Sequence, residues 1–127
     1  VTAVGIDYGR SRTGLAILIR GTILPLEPVT ASTWNGIASR LDELSAEHGE
    51  LMVVLGLPLT SSGKQTELSI EVESLGSFLA GKGFEVTMQR ETGSSLEIRS
   101  LGLAEARDGR SDSMAAMVIL KRYLGQA

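Results

Sequence analysis

Apolar residues fall along this chain in two rhythms, short β-branched runs and longer stretches at helical spacing, and the changes between them mark out the elements. The opening run, Thr2–Tyr8, is short and β-branched and stops at Gly9, which predicts a strand. A turn rich in Gly, Arg and Ser, Gly9–Arg12, leads into a second apolar run, Thr13–Arg20. After Gly21 comes a third, Thr22–Val29, whose Pro25 and Pro28 suit an edge strand. Strands joined by such short turns form an antiparallel meander. The period then lengthens: Trp34, Ile37, Leu41 and Leu44 recur at helical spacing, with Ser32 or Thr33 placed to cap the amino end and His48-Gly49 to close it. Leu51–Gly56 is a continuous apolar run of the kind found in a parallel strand covered on both faces, and it is expected to close at Gly56-Leu57-Pro58. Leu59–Lys64 is polar and turn-prone, after which Thr66 can cap a helix carrying Leu68, Val72, Leu75 and Leu79 on one face, ended by Gly81 and Gly83. Phe84–Met88 predicts a fifth strand, and Ser95–Arg107 and Asp112–Leu124 predict two closing helices. The order βββαβαβαα describes an α/β fold, a mixed five-stranded sheet in which a three-strand antiparallel meander continues into parallel strands, with helices packed on it.

Length bounds this architecture to one domain, residues 1–127, because the chain shows no linker, repeat or low-complexity tract and is too short for two ordinary cores. Apolar residues make up 43% of the chain before its 15 glycines are added, enough to bury a core. The runs Leu51–Leu55 and Met114–Leu120 fall far short of the roughly 20 residues that span a bilayer, so no membrane association is expected. No basic and apolar leader opens the chain, and cysteine is absent, which together lead to the expectation of a cytoplasmic setting. The lack of cysteine and the single histidine, His48, also remove thiolate zinc sites, cysteine nucleophiles and His-rich metal centres. Five aromatics are too few for a base-stacking platform. Chemistry must come from carboxylates, hydroxyls, Lys and Arg, backbone amides or a bound ion.

In an open α/β sheet ligands gather beyond the carboxyl ends of the parallel strands, so polar residues at strand ends are the candidates. Asp7 follows Val4-Gly5-Ile6 inside an apolar strand and precedes a glycine turn, a place where a carboxylate is costly to bury without a partner or an ion. Glu91 is expected just past the fifth strand, and Asp112 at the start of the last helix, before Met114–Leu120. Each has an ordinary explanation as well: an Asx turn for Asp7, a solvated loop carboxylate for Glu91, a favourable helix-dipole contact for Asp112. If the three converge, they make an all-oxygen donor set suited to a hard divalent cation, magnesium or manganese. Two such ions roughly 3.5–4 Å apart can activate a water on one side of a phosphodiester and stabilise the leaving oxygen on the other.

The motifs that carry these residues resemble those of a known family. Gly5-Ile6-Asp7-Tyr8-Gly9, followed by Arg12, Gly14 and Ala16, looks like the opening motif of the YqgF/RuvX family. Gly56-Leu57-Pro58-Leu59 with Gly63 resembles its second motif, and Ser111-Asp112 with Ala115-Ala116, Ile119-Leu120 and Tyr123-Leu124 resembles its third. The resemblance runs in order over nearly the whole chain. It implies an RNase H-like fold and a divalent-metal-dependent nuclease acting on structured nucleic acid, in maturation of the 5′ end of 16S ribosomal RNA or in cleavage of branched DNA at Holliday junctions. It also implies Asp7, Glu91 and Asp112 as metal ligands and catalytic residues. The family's acidic motif reads Asp-Glu-Arg, a variable residue, then Thr or Ser; here Glu91 and Ser94 align, while Arg90 stands in place of an acid and Thr92 in place of an arginine. Leu18-Ile19 stands where the family commonly has Ser-Asp.

Phosphates at such a site call for cations, and arginine's planar fork suits them. Arg10, Arg12, Lys64 and Arg90, with Ser94, are the expected substrate contacts; Arg107 and Arg110 complete the available set. Two divalent ions would bring the formal charge of −3 to about +1, so net acidity does not oppose a nucleic-acid partner. Gly63-Lys64 is not a P-loop, because Pro58 stands where the first glycine belongs and Gln65 where the hydroxyl that binds magnesium belongs. Met114 and Met117 read as core filler and His48 as a helix-end residue. The chief alternative to a nuclease is a catalytically degenerate module of the same fold that binds nucleic acid or ribosomes, motivated by Arg90 and Thr92. An actin-like ATPase reading of Gly5–Gly9 ranks last, since enclosing a nucleotide takes two lobes. Paired cuts at a four-way junction need a two-fold dimer and trimming an RNA end does not, so monomer and homodimer both remain open.

Overall fold

The computed structural model describes residues 2–30, 33–92 and 110–125, except the side chains of 92 and 110–112. Among the described residues five strands and three helices follow the expected order: β1 (Thr2–Asp7), β2 (Arg12–Ile19), β3 (Thr22–Thr30), α1 (Trp34–His48), β4 (Leu51–Leu59), α2 (Glu67–Gly81), β5 (Glu85–Thr92) and α3 (Arg110–Gly125). The predicted helix Ser95–Arg107 lies outside the described residues.

The sheet runs β3-β2-β1-β4-β5. β1, β2 and β3 form the antiparallel meander, and β4 and β5 add to it in parallel. Arg20-Gly21 closes the β2–β3 hairpin with φ of 50° and 83°, the positive values that suit the twist of two-residue hairpins. β3 is an edge strand, as its prolines require. Thr13 pairs with Val29 and Leu15 with Leu26, so Pro28 falls in the resulting bulge.

Both strands at the other side of the sheet are longer than their composition suggests. β4 does not stop at Gly56-Leu57-Pro58 but continues to Leu59, pairing Pro58 with Glu91 and Leu59 with Thr92. Its pairing with β1 ends at Ile6–Leu55, so among the described residues Pro58 is paired on the β5 side alone and a proline without an N–H is tolerated. β5 correspondingly runs past Met88 to Thr92, which places Glu91 inside the strand rather than beyond it.

α1 and α2 cover one sheet face and α3 the other. Thr33 caps α1, its Oγ1 accepting from Gly36 N at 2.9 Å. Thr66 and Ser69 form a reciprocal capping box on α2: Ser69 N donates to Thr66 Oγ1 at 3.0 Å and Thr66 N to Ser69 Oγ at 2.7 Å. Between these helices and the sheet lies an aliphatic core that includes Val4, Ile6, Leu15, Ile17, Leu41, Leu55, Leu75 and Leu79. Tilted rings of Trp34 and Phe78, 5.5 Å apart, join α1 to α2. Under α3 the residues are smaller, Ala3, Ala16 and Ala116 with Leu18, Val54, Ile119 and Leu120. A Cβ on Gly5 would lie 2.7 Å from the Ala116 carbonyl oxygen, and one on Gly56 would lie 2.4 Å from Ile119 Cδ1, so these glycines let α3 lie directly on β1 and β4.

Candidate active site

Strand alternation sorts the site residues by face. Ala3, Gly5 and Asp7 of β1 are in phase, and Ala3 and Gly5 pack under α3, so Asp7 emerges on that face at the carboxyl end of its strand. Gln89 and Glu91 of β5 are in phase too, and Glu91 Cγ lies 3.5 Å from where a Cβ on Gly56 would be, beneath α3. The structure therefore brings Asp7 and Glu91 to the carboxyl ends of two parallel strands on one face, with β4 between them, Glu91 two residues further along than the level of Asp7 and their backbones about 12 Å apart. Asp7 is half-buried, whereas the Glu91 side chain is only 4% exposed. Burial of that kind demands a counter-charge. Arg122, in the last turns of α3, supplies it, with Nε 3.3 Å from Glu91 Oε2.

α3 crosses the sheet from its meander edge toward β5. Ser113 Oγ donates to Leu26 O on β3 at 2.6 Å, Ala116 and Leu120 sit over Gly5, Ile119 over Gly56, and Arg122 reaches β5. Leu26 pairs with Leu15, one residue from the Asp7–Gly14 pair. The first turn of α3, which holds Asp112, thus lies at the same end of the sheet as Asp7; the Asp112 side chain is outside the described set. Among the described residues no three His, Cys, Asp or Glu side chains form a group that could hold a metal ion. His48 ends α1 just before β4 begins, at the opposite end of the sheet, and faces Glu47 at 3.8 Å.

The expected cations occupy different places. Arg10 is exposed and turned toward α2, with Nε 3.2 Å from both carboxylate oxygens of Glu71 and Nη2 4.0 Å from Glu67 Oε2. The hydrogen bond and charge of Glu71, then the charge of Glu67, raise its pKa above the ordinary arginine value. Arg12 opens β2 and, with Gly9, Arg10, Ser11 and Leu68, lines an open cleft of about 390 Å³ between the β1–β2 turn and the start of α2. Lys64 is exposed in the turn after β4, its backbone N donating to Thr60 Oγ1 at 3.0 Å. Arg90 is exposed and, one residue out of phase with Glu91, belongs to the other face of β5. Ser94 and Arg107 lie outside the described residues, as does the side chain of Arg110.

Sequence reasoning missed two members of the site. Arg122 was detectable as the residue one helical turn beyond Ile119 on the sheet-facing stripe, a charge where an apolar residue is expected. Gln89, buried beside Glu91 with Nε2 donating to Arg90 O at 3.3 Å, was hidden by the early end assigned to β5.

A mixed sheet of this order, with α1 and α2 on one face and α3 on the other, is the RNase H-like architecture. Its solved neighbours agree: Thermus thermophilus RuvC in complex with a Holliday junction substrate matches with a TM-score of 0.57 and 19% identity, covering 100% of this chain and 96% of that one. The zinc-bound large terminase nuclease of the thermophilic phage G20c matches with a TM-score of 0.56 and 19% identity over 94% of this chain and 78% of that one. The chain belongs to the RuvX family, whose model, described as Holliday junction resolvase, matches residues 1–126. Relatives named "Putative pre-16S rRNA nuclease" include those of Bordetella parapertussis, 33% identical over 97% of this chain and 92% of the relative, and Sulfurimonas denitrificans, 35% identical over 97% and 96%.

Proposed function

We propose that this protein is a divalent-metal-dependent nuclease that hydrolyses phosphodiester bonds in structured nucleic acid, with the 5′ end of pre-16S rRNA as its substrate. The observation that carries the reading is the convergence of Asp7 and Glu91, 84 residues apart in sequence, on one sheet face at the carboxyl ends of β1 and β5. Membership of the RuvX family and the names of its relatives point the same way.

The donor chemistry fits magnesium or manganese. Asp7, Glu91 and Asp112 offer only oxygen, and neither a thiolate nor an imidazole competes at this end of the sheet. The three carboxylates would hold the metal, which when bound supplies water activation and charge stabilisation at the leaving oxygen. The rest is done by the chain itself. β1 and β5 hold two carboxylates on rigid strands, and the apolar stripe of α3 roofs the sheet between them. Arg12, on the cleft beside the β1–β2 turn, and Lys64, in the turn after β4, receive backbone phosphates at the same end of the sheet. The replacement of an acid by Arg90 leaves the α3 face unchanged, because Arg90 emerges on the other side of β5.

Cleavage of a pre-16S rRNA 5′ leader by the purified protein with manganese, alongside a four-way DNA junction, tests the proposal. Asp7→Asn is expected to lower cleavage by about a hundredfold or more while the circular dichroism spectrum and melting temperature stay close to those of the parent. Equal cleavage by the variant rules out this site. Preferential cutting of the junction makes branched DNA the substrate instead.

A further inference from the structure

The Arg10 guanidinium joins the two walls of the cleft between the β1–β2 turn and α2. It starts from one wall, the Gly9–Arg12 turn, and ends on two carboxylates of the other, Glu71 at 3.2 Å and Glu67 at 4.0 Å, which stand on either side of Leu68 along the helix. Every member of this bridge is wet: the side chains are 60% exposed for Arg10, 37% for Glu71 and 94% for Glu67, so opening it strands no buried charge. The backbone beneath it is fixed. A Cβ on Gly9 would run into the Arg12 carbonyl oxygen, so the turn is tight and any change of partner falls to the long arginine side chain alone.

We propose that Arg10 is a nucleic-acid contact held in reserve: Glu71, helped by Glu67, keeps its guanidinium on α2 in the free protein, and a backbone phosphate entering the cleft takes it over. This rests on the phosphate path assigned above, which runs past Arg12 on the same cleft. Arg10 stands three residues beyond Asp7, so a strand lying on the turn passes it beside the carboxyl end of β1. A phosphodiester offers a guanidinium the same pair of charged oxygens that a carboxylate does, which makes the exchange one of like for like. Two carboxylates against one guanidinium also leave the α2 wall net negative, so the acids oppose the strand that Arg10 attracts. Glu71 is therefore a positioning residue that lowers affinity for nucleic acid, and Arg10 a substrate-binding one. Such an exchange has its own signature in salt. A phosphate neutralised by an unpaired cation releases about 0.7–0.9 of a counterion. When Arg10 leaves a carboxylate to reach it, the carboxylate takes a counterion back and the release nearly cancels.

Fluorescence anisotropy of a labelled pre-16S rRNA 5′ leader, in chelator and over a range of salt, tests this on the parent, Arg10→Ala, Glu71→Gln, the double variant and Glu47→Gln. Omitting metal keeps binding apart from cleavage, and melting temperatures confirm that each variant is folded. Glu71→Gln is expected to bind about two- to fivefold more tightly, the span that exposed ion pairs cover. Its plot of log affinity against log salt should be steeper by about 0.7–0.9. Arg10→Ala should bind more weakly than the parent, and in its background both the tightening and the steeper slope from Glu71→Gln should shrink. Glu47→Gln removes the same charge at the far end of the sheet, beside His48, and should match the parent. If Glu71→Gln binds no more tightly than Glu47→Gln, or gains as much without Arg10 as with it, the inference is overturned and the nuclease reading stands. A parent that binds neither the leader nor a four-way DNA junction overturns the phosphate path and this inference with it, whatever the Asp7→Asn comparison shows.

Discussion

The two faces of the sheet are built from different materials. Between the sheet and α1 and α2 the side chains are large and branched, with Ile6, Leu15 and Leu55 of the strands and Leu41, Leu75 and Leu79 of the helices fully buried. Beneath α3 they are small, and two glycines replace side chains altogether. The first face gains stability from buried area. The second gives up area so that a helix can lie close enough to bring its own polar residues to the strand ends. All the carboxylates assigned to the site, and the arginine that balances one of them, belong to the second face or its helix.

Substitutions that act on one face alone break this contrast most clearly. Leu41→Ala opens a cavity in the aliphatic layer and should cost about 2–5 kcal/mol, read by denaturant unfolding, while cleavage per folded molecule stays at the parent level. Gly5→Ala acts on the other face. Its new Cβ would stand 2.7 Å from both the Ala116 carbonyl oxygen and Leu120 Cγ, so α3 must lift. A loss of about 1–3 kcal/mol is expected, and with it a fall in cleavage that Leu41→Ala does not share. Thr66→Ala removes the acceptor for Ser69 N at the head of α2 and should cost about 0.5–2 kcal/mol, again without effect on cleavage. A result in which Leu41→Ala and Gly5→Ala lower cleavage per folded molecule equally would erase the division of labour between the faces.

The meander and the first two helices were readable in the sequence because their signals are local: glycine stops, threonine caps and unmixed apolar periods. The β4–β5 side of the sheet was harder to read for one physical reason. Gly56-Leu57-Pro58 and Gln89-Arg90-Glu91-Thr92 look like breakers and loop, yet each stays extended because the other pairs with it, from Gly56–Gln89 to Leu59–Thr92. No window of either segment contains that information. Glu91 was expected just past the fifth strand, and its burial inside β5 could not be read locally, since it depends on α3 lying above it and on Arg122 at the far end of that helix. Asp7 was easier, a charged residue ending an apolar strand before a glycine turn.

The edge strand β3 has an outcome of its own. Zipping by a stray strand from a neighbouring molecule needs an unbroken row of amide hydrogens, and along β3 this row is interrupted at Pro25 and bent out of line at the Pro28 bulge. On that flank the sheet is sealed against growth, so copies of the chain crowded together do not find a template there for ladder-like aggregation.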